Sequence, residues 1–139
     1  MDKKKFILNF VKHHKIAVIS TVNTKGNPQS AVVEFGETNS LELIFDTFSN
    51  SRKYINLKQN PNVSFVIGWD EDKTVQYEGK ALELSDKELL KYQKIYFAKN
   101  PRARKWQNVE GIKFFKVLPK WIRYSDVSSS PWKVFEVNF

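Results

Sequence analysis

Apolar and polar positions divide the chain into strands and short helices. Residues 3–14 read as a short amphipathic helix. Asp2 stands where a cap is needed, and His13, His14 and Lys15 stand where cations suit a helix C-terminus. Residues 16–22 (IAVISTV) are β-branched and apolar on both faces, the pattern of a buried strand. Thr24-Lys25-Gly26-Asn27-Pro28 is a turn signal. Strands at 29–35 and 41–47 follow, so the first three strands are expected to form a meander. Asn50 to Tyr54 opens a helix that runs to about residue 59, where Asn60-Pro61 stops it. A fourth strand covers 63–69, an acidic turn covers 70–73, and a fifth strand covers 74–84. The apolar side of this last strand shifts from Val75 and Tyr77 to Leu82 and Leu84. The shift predicts an irregularity, with Gly79 as the place for a bulge. Ser85 and Glu88 match a capping box, opening a helix to about residue 98 with Leu89, Tyr92 and Tyr96 on one stripe. A polar loop is expected over 99–111. Residues 112–118 and 121–124 read as one long strand interrupted by Pro119, and 132–139 as a final strand.

Six or seven strands with two or three helices make the fold mainly β with peripheral helices. A closed or partly closed antiparallel barrel removes the exposed edges that such a chain must otherwise manage. The 139 residues suit one domain, and no repeat or long linker divides them. Apolar residues at 41% and aromatics at 14% are too many for a disordered chain. The absence of cysteine excludes disulfides, thiolate metal sites and a cysteine nucleophile. It fits a reducing compartment. The apolar stretch Phe6 to Val11 is short, broken by Asn9, and not followed by a small-residue cleavage site. No apolar run approaches the ~18 residues needed to span a bilayer. A cytoplasmic protein with no membrane partner is expected.

The net charge is +8, and it is uneven. Lys91, Lys94, Lys99, Arg102, Arg104 and Lys105 lie in a stretch with no acid. Such a stretch attracts phosphates or nucleic acid, or is a solvated helix face and basic loop. More specific is the segment from Ile44 to Lys53. A strand ends, a short polar loop follows, and a helix begins with Arg52 and Lys53. Cations at a helix N-terminus face its positive end and cost a few tenths of a kcal/mol each. The cost disappears when an anion sits there. Free backbone N–H groups, the Ser51 and Thr47 hydroxyls, a guanidinium fork and an ammonium together make a phosphate site.

In Gly26-Asn27-Pro28, Phe45-Asp46-Thr47, Ser51-Arg52-Lys53, Asn60-Pro61-Asn62-Val63 and Glu78-Gly79-Lys80-Ala81, the chain resembles the pyridoxamine 5′-phosphate oxidase-like flavoproteins. The similarity runs from about Ile16 to Tyr124 and rests on the order and spacing of the motifs. The resemblance implies a six-stranded antiparallel split β-barrel that forms a homodimer, with FMN in clefts along the interface. It assigns the FMN phosphate to Ser51, Arg52 and Lys53, and sets Asp46 and Thr47 beside the flavin. It runs Ala31, Val32, Val33 and Glu34 along the flavin ring through main-chain groups. Three departures stand out. Ala31 occupies the place of an arginine that helps hold the phosphate in the true oxidases. Thr74 occupies the place of a flavin-contacting glutamine, with Gln76 two residues on and on the same face. The C-terminal substrate segment is replaced by Arg123-Tyr124-Ser125-Asp126 and Pro131-Trp132-Lys133-Val134. Pyridoxamine phosphate oxidation is therefore not expected, and the chain looks like the short, general-stress-type members acting on an unidentified small molecule.

Flavin chemistry needs no side-chain acid or base for hydride transfer, so no catalytic residue is nominated. The adjacent His13 and His14 point in different directions on a helix, which excludes a zinc pair at i, i+4. Asp70-Glu71-Asp72 reads as a solvated hairpin tip. Trp69, Trp106, Trp121 and Trp132 read as core or interface residues, with Trp106 best placed to border a ligand of the dimer partner. Three alternatives stand beside the flavoenzyme. One is a non-catalytic flavin carrier or sensor. Another is a basic small barrel that binds nucleic acid. The third is a related barrel with deazaflavin or haem, the haem version having little support from two N-terminal histidines.

Overall fold

The computed structural model describes residues 1–139. Helix α1 (Lys3–Lys12) is capped by Asp2, whose Oδ1 accepts from the Lys5 N–H at 3.1 Å. His13 and His14 lie past its end, with Nδ1 hydrogen-bonded to the carbonyls of Asn9 and Phe10 at 2.7 and 3.0 Å. The strands are β1 (Ile16–Val22), β2 (Pro28–Glu34), β3 (Gly36–Glu37), β4 (Leu43–Phe48), β5 (Asn62–Ile67), β6 (Lys73–Glu83), β7 (Ile112–Asp126) and β8 (Lys133–Asn138). Helix α2 (Arg52–Gln59) joins β4 to β5, and α3 (Asp86–Lys99) leads into a 3₁₀ helix (Pro101–Trp106). No helix is long and apolar enough to cross a membrane.

The strands form one antiparallel sheet in the order β2-β1-β5-β6-β7-β4-β3, with β8 also paired to β7. The first three strands are not the expected meander. β2 bonds only to β1, the chain bends at Phe35, and β3 then bonds to β4 at the opposite end of the sheet. The continuous run from β2 to β3 thus joins the two ends of the sheet and curls it into a split barrel. Eight strands stand where six or seven were expected, because this bend cuts off a two-residue β3; the final strand lies where the sequence placed it.

The bend is fastened on every side. The Phe35 N–H donates to the Lys15 carbonyl at 3.3 Å, and the Phe35 carbonyl accepts from Asn100 Nδ2 at 2.8 Å. Lys99 Nζ lies 3.9 Å above the Phe35 ring and pairs with Glu37. Gly36 lets α3 approach closely: a β carbon there would lie 3.1 Å from Tyr96 Cα. The barrel interior holds one large core, including Ile19, Phe35, Phe45, Phe65, Tyr77 and Val117. α1 closes its end by setting Phe6 edge-on to Tyr124 and Phe135. A second core of Ile44, Leu84, Tyr92, Tyr96, Phe97, Ala103 and Phe114 holds α3 against β4 and β7.

Gly79 does mark an irregularity, but the extra residue lies across from it. Glu78 faces Trp121 and Gly79 faces Pro119, so Lys120 is the bulged residue, on β7. β6 keeps strict alternation with Val75, Tyr77, Gly79 and Ala81 inward, and Leu82 faces solvent instead of joining the core. The bulge switches β7 from Phe115 and Val117 inward to Ile122 and Tyr124 inward. Pro119 does not break the strand, because the bulge absorbs its missing N–H. Two further expectations shift. The 3₁₀ helix replaces part of the expected polar loop. Ser85 caps α3 without accepting from a helix N–H; its hydroxyl donates to the Glu88 carboxylate at 3.3 Å, and Lys116 draws that carboxylate toward β7.

Two substitutions test this framework. A β carbon at position 79 would lie 2.3 Å from the Leu118 carbonyl oxygen. Gly79→Ala should therefore lower unfolding stability by about 1–3 kcal/mol in urea titration. Asn100→Ala should cost about 1–3 kcal/mol by leaving the buried Phe35 carbonyl without its donor.

Candidate functional site

The bend at Phe35 opens a cleft. The β3–β4 ladder sets Gly36 opposite Ile44 and Glu37 opposite Leu43. The same register continued backwards would set Glu34 opposite Asp46 and Val32 opposite Phe48. β2 leaves to pair with β1 instead, so these residues part. Between them lies a space of about 340 Å³. Its walls are Val32, Val33 and Glu34 from β2 and Asp46, Thr47 and Phe48 from β4. Val33 turns its side chain into the core, which leaves main chain toward the cleft. The edge of β2 away from β1 has no sheet partner. Ser51 and Lys53 stand at one end, and Trp106 and Ile112 at the rim. Trp106 packs edge-on to Phe48 at 5.7 Å. It therefore borders its own chain's cleft.

The end at Ser51 is built by α2. Ser51 is the N-cap: its Oγ accepts from the Tyr54 N–H at 3.2 Å and meets Thr47 Oγ1 at 2.7 Å. The helix is tied down by buried Asn56, whose Nδ2 donates to Thr21 Oγ1 and Gln29 Oε1 at 3.0 and 2.9 Å. This fixes the helix start against β1 and β2. Lys53 is half-buried and borders both the cleft and a smaller cavity of about 100 Å³. Arg52 is exposed and shares that smaller cavity with Gln29, Ser30 and Ala31. The expected phosphate trio thus lies together, next to the β2 residues named with it.

The cleft strains its charges. Asp46 Oδ2 is buried and has no hydrogen-bond partner. Burial pushes the Asp46 carboxyl above its ordinary value. The neighbouring Tyr96 hydroxyl lowers it in part, the Glu34 charge raises it further, and Lys53 pulls it down. Burial pushes the Lys53 ammonium down, Asp46 supports it, and Arg52 opposes it. Tyr96, which belongs to a core stripe by sequence, is buried behind the cleft wall and reaches Asp46 because α3 docks at Gly36.

Thr74 and Gln76 are not in this cleft. They lie on β6, separated from β2 by β1 and β5. Gln76 does share the outer face with Val32: cross-strand pairing runs Val32, Val18, Val66, Gln76 and Arg123 along one row. Val32 and Val66 are exposed there, and Thr74 Oγ1 is buried without a partner. No group of three or more His, Asp or Glu side chains is arranged to hold a metal.

A family model described as pyridoxamine 5′-phosphate oxidase matches residues 4–126. A pyridoxine/pyridoxamine 5′-phosphate oxidase of Serratia proteamaculans (strain 568) is 30% identical over 135 residues, which is 87% of this chain and 60% of that protein. Matches to oxidases of this name span 35% to 61% of their length, so the chain is similar to only part of them. Among solved structures, General Stress Protein 26 from Bacillus anthracis str. Sterne is 26% identical with a TM-score of 0.74, covering 89% of this chain and 94% of that one. An FMN binding, pyridoxamine 5′-phosphate oxidase-related protein from Nostoc punctiforme PCC 73102 has a TM-score of 0.71 at 11% identity, covering 100% and 97%. A heme binding protein from Mycobacterium smegmatis shares the fold too, at a TM-score of 0.85 and 14% identity over 97% of this chain and 57% of that one.

The raised Asp46 carboxyl carries a stability sign. A group whose folded-state value lies above its unfolded one contributes stability that is full below the ordinary carboxylate range and is lost as pH rises through the raised value. Asp46→Asn should therefore raise the melting temperature of the ligand-free protein at pH 7–8. The gain should shrink to nothing as the pH falls below about 4. Thermal melts across that range check it.

Proposed function

The chain belongs to the pyridoxamine 5′-phosphate oxidase family, and from that premise we propose that it is an FMN-binding flavoprotein, an oxidoreductase acting on a small molecule. The observation that carries this reading is the start of α2: Ser51, Arg52 and Lys53 beside a cleft whose wall offers open backbone and an unsatisfied carboxyl oxygen. A phosphate at this end offsets the cations' repulsion by the helix N-terminus and meets their charge-assisted hydrogen bonds. The donor set fits FMN. Ser51, Lys53 and Arg52 would hold the phosphate, and Thr47 would steady Ser51. Val32, Val33 and Glu34 would line the ring through main-chain groups, and Trp106 would shield the rim from water. Bound FMN supplies hydride or electron transfer, and the protein supplies orientation and access.

Two departures from the oxidases are accounted for by the structure around them. Ala31 is small and leaves the smaller cavity to Arg52, which offers a guanidinium from α2 where β2 has none. The C-terminal segment is committed to packing: Tyr124 is buried against Phe6 and Phe10, and Arg123 pairs with Glu136 at 2.8 Å. These contacts favour a substrate other than pyridoxamine phosphate. The haem reading has less support, since no His, Met, Cys or Tyr lines the cleft and haem iron takes such side chains as axial ligands.

The single split-barrel domain acts as a homodimer in this reading. The exposed valines of the outer face give a second copy an apolar surface, and Thr74 and Gln76 lie on that same face. A partner docked there brings Thr74 and Gln76 to the cleft they cannot reach within one chain. The cysteine-free sequence suits the cytoplasm.

Absorbance titration with FMN and with riboflavin tests the proposal. FMN should bind far more tightly than riboflavin. Arg52→Ala with Lys53→Ala should weaken FMN by about 3 kcal/mol or more, roughly 100-fold, and leave riboflavin nearly unchanged. Equal affinity for the two flavins, or an unchanged constant in the double variant, removes the assignment.

A further inference from the structure

Asp46 is the ionisable group of the cleft wall with an oxygen, Oδ2, that finds no hydrogen-bond partner. Its Oδ2 is out of contact with water and has no donor, an expensive state for a carboxylate. The groups that face it are few. From β2 comes the Glu34 carboxylate, from α2 the Lys53 ammonium with Arg52 behind it, and from α3 the Tyr96 hydroxyl. Its register neighbour on β7 is Phe114, and the rim residue of the 3₁₀ helix is Trp106; neither titrates. The Tyr96 hydroxyl and the Lys53 ammonium favour an ionised Asp46, against its burial and the Glu34 charge.

Occupation of the cleft alters this balance in one direction. A flavin ring excludes the remaining water from the Asp46 side of the cleft, and a phosphate at the start of α2 draws on the Lys53 charge. Both effects work against a negative carboxylate. Resting on the FMN reading above, we propose that FMN binds this chain with uptake of one proton from solvent by Asp46, whose carboxyl on the cleft wall, beside Glu34 and Lys53, is then neutral. No negative charge of Asp46 is then left against the ring on that side. Asp46 is then a positioning residue that makes cofactor loading depend on pH.

The test is the FMN dissociation constant of wild type and of Asp46→Asn, by flavin fluorescence from pH 5 to 8. The amide mimics the neutral acid and cannot ionise. The second ionisation of the FMN phosphate, near pH 6, affects both proteins alike and cancels in their ratio. The ratio of wild-type to variant constants should climb with pH, approaching tenfold per unit once the free carboxyl is ionised. A ratio that is constant or falls with pH overturns the proposal. Asp46→Ala, which also cannot ionise, serves as the second variant if the amide fails to fold; its ratio must climb in the same way. Wild type that binds no FMN at any pH overturns the FMN reading itself, an outcome distinct from bound flavin with a flat ratio.

Discussion

Everything at the cleft depends on the two backbone hydrogen bonds of Phe35. Its N–H is held by Lys15, at the start of β1, and its carbonyl by Asn100, just past α3. At this residue the chain stops being a partner of β1 and becomes a partner of β4. A peptide group buried at such a corner belongs to neither ladder and must find other partners. The interaction with Asn100 therefore does two things. It satisfies an orphan carbonyl, and it ties the corner to a helix that packs on β4 through Tyr96 and Phe97. Were the corner to straighten, β2 would zip onto β4 and Glu34 would close over Asp46.

The cleft is held open against its own electrostatics. Glu34 and Asp46 stand on its two walls, and Lys53 is partly desolvated beside Arg52. A segment selected for stability alone would place neutral side chains here. The rest of the molecule offsets the cost with an aromatic-rich core and with ties such as Asn56 to Thr21 and Gln29. Local frustration gathered at one place and compensated elsewhere is what natural proteins tolerate at functional or strained sites.

The bulge at Lys120 has a comparable role for the outer face. By switching the parity of β7, it lets Phe115 and Val117 at one end and Ile122 and Tyr124 at the other all face inward. The row from Val32 through Val66 to Gln76 and Arg123 then lies on one outer surface. Gly79 makes this possible because its missing β carbon leaves room for the Leu118 carbonyl.

Elements were legible in the sequence because they follow local rules. β-Branched runs gave the strands, Asn60-Pro61 stopped α2, Asp2 capped α1, and Gly79 flagged an irregular place. The grouping of Ser51, Arg52 and Lys53 at the start of α2 was legible as well, since two cations at a helix start contradict the helix dipole and so demand a reason. The sequence by itself thus determined a β-rich chain, its punctuation and a helix start carrying two cations. Pairing was beyond it. Whether β4 joins β2 or β7, which strand carries the extra residue of the bulge, and whether Trp106 faces its own cleft depend on contacts between residues far apart in the chain. The split itself, and with it the meeting of Glu34, Asp46, Lys53 and Tyr96, came only from the tertiary structure. A single corner peptide at Phe35, fastened from Lys15 and Asn100, decides where two strands part, and no local pattern encodes partners so distant.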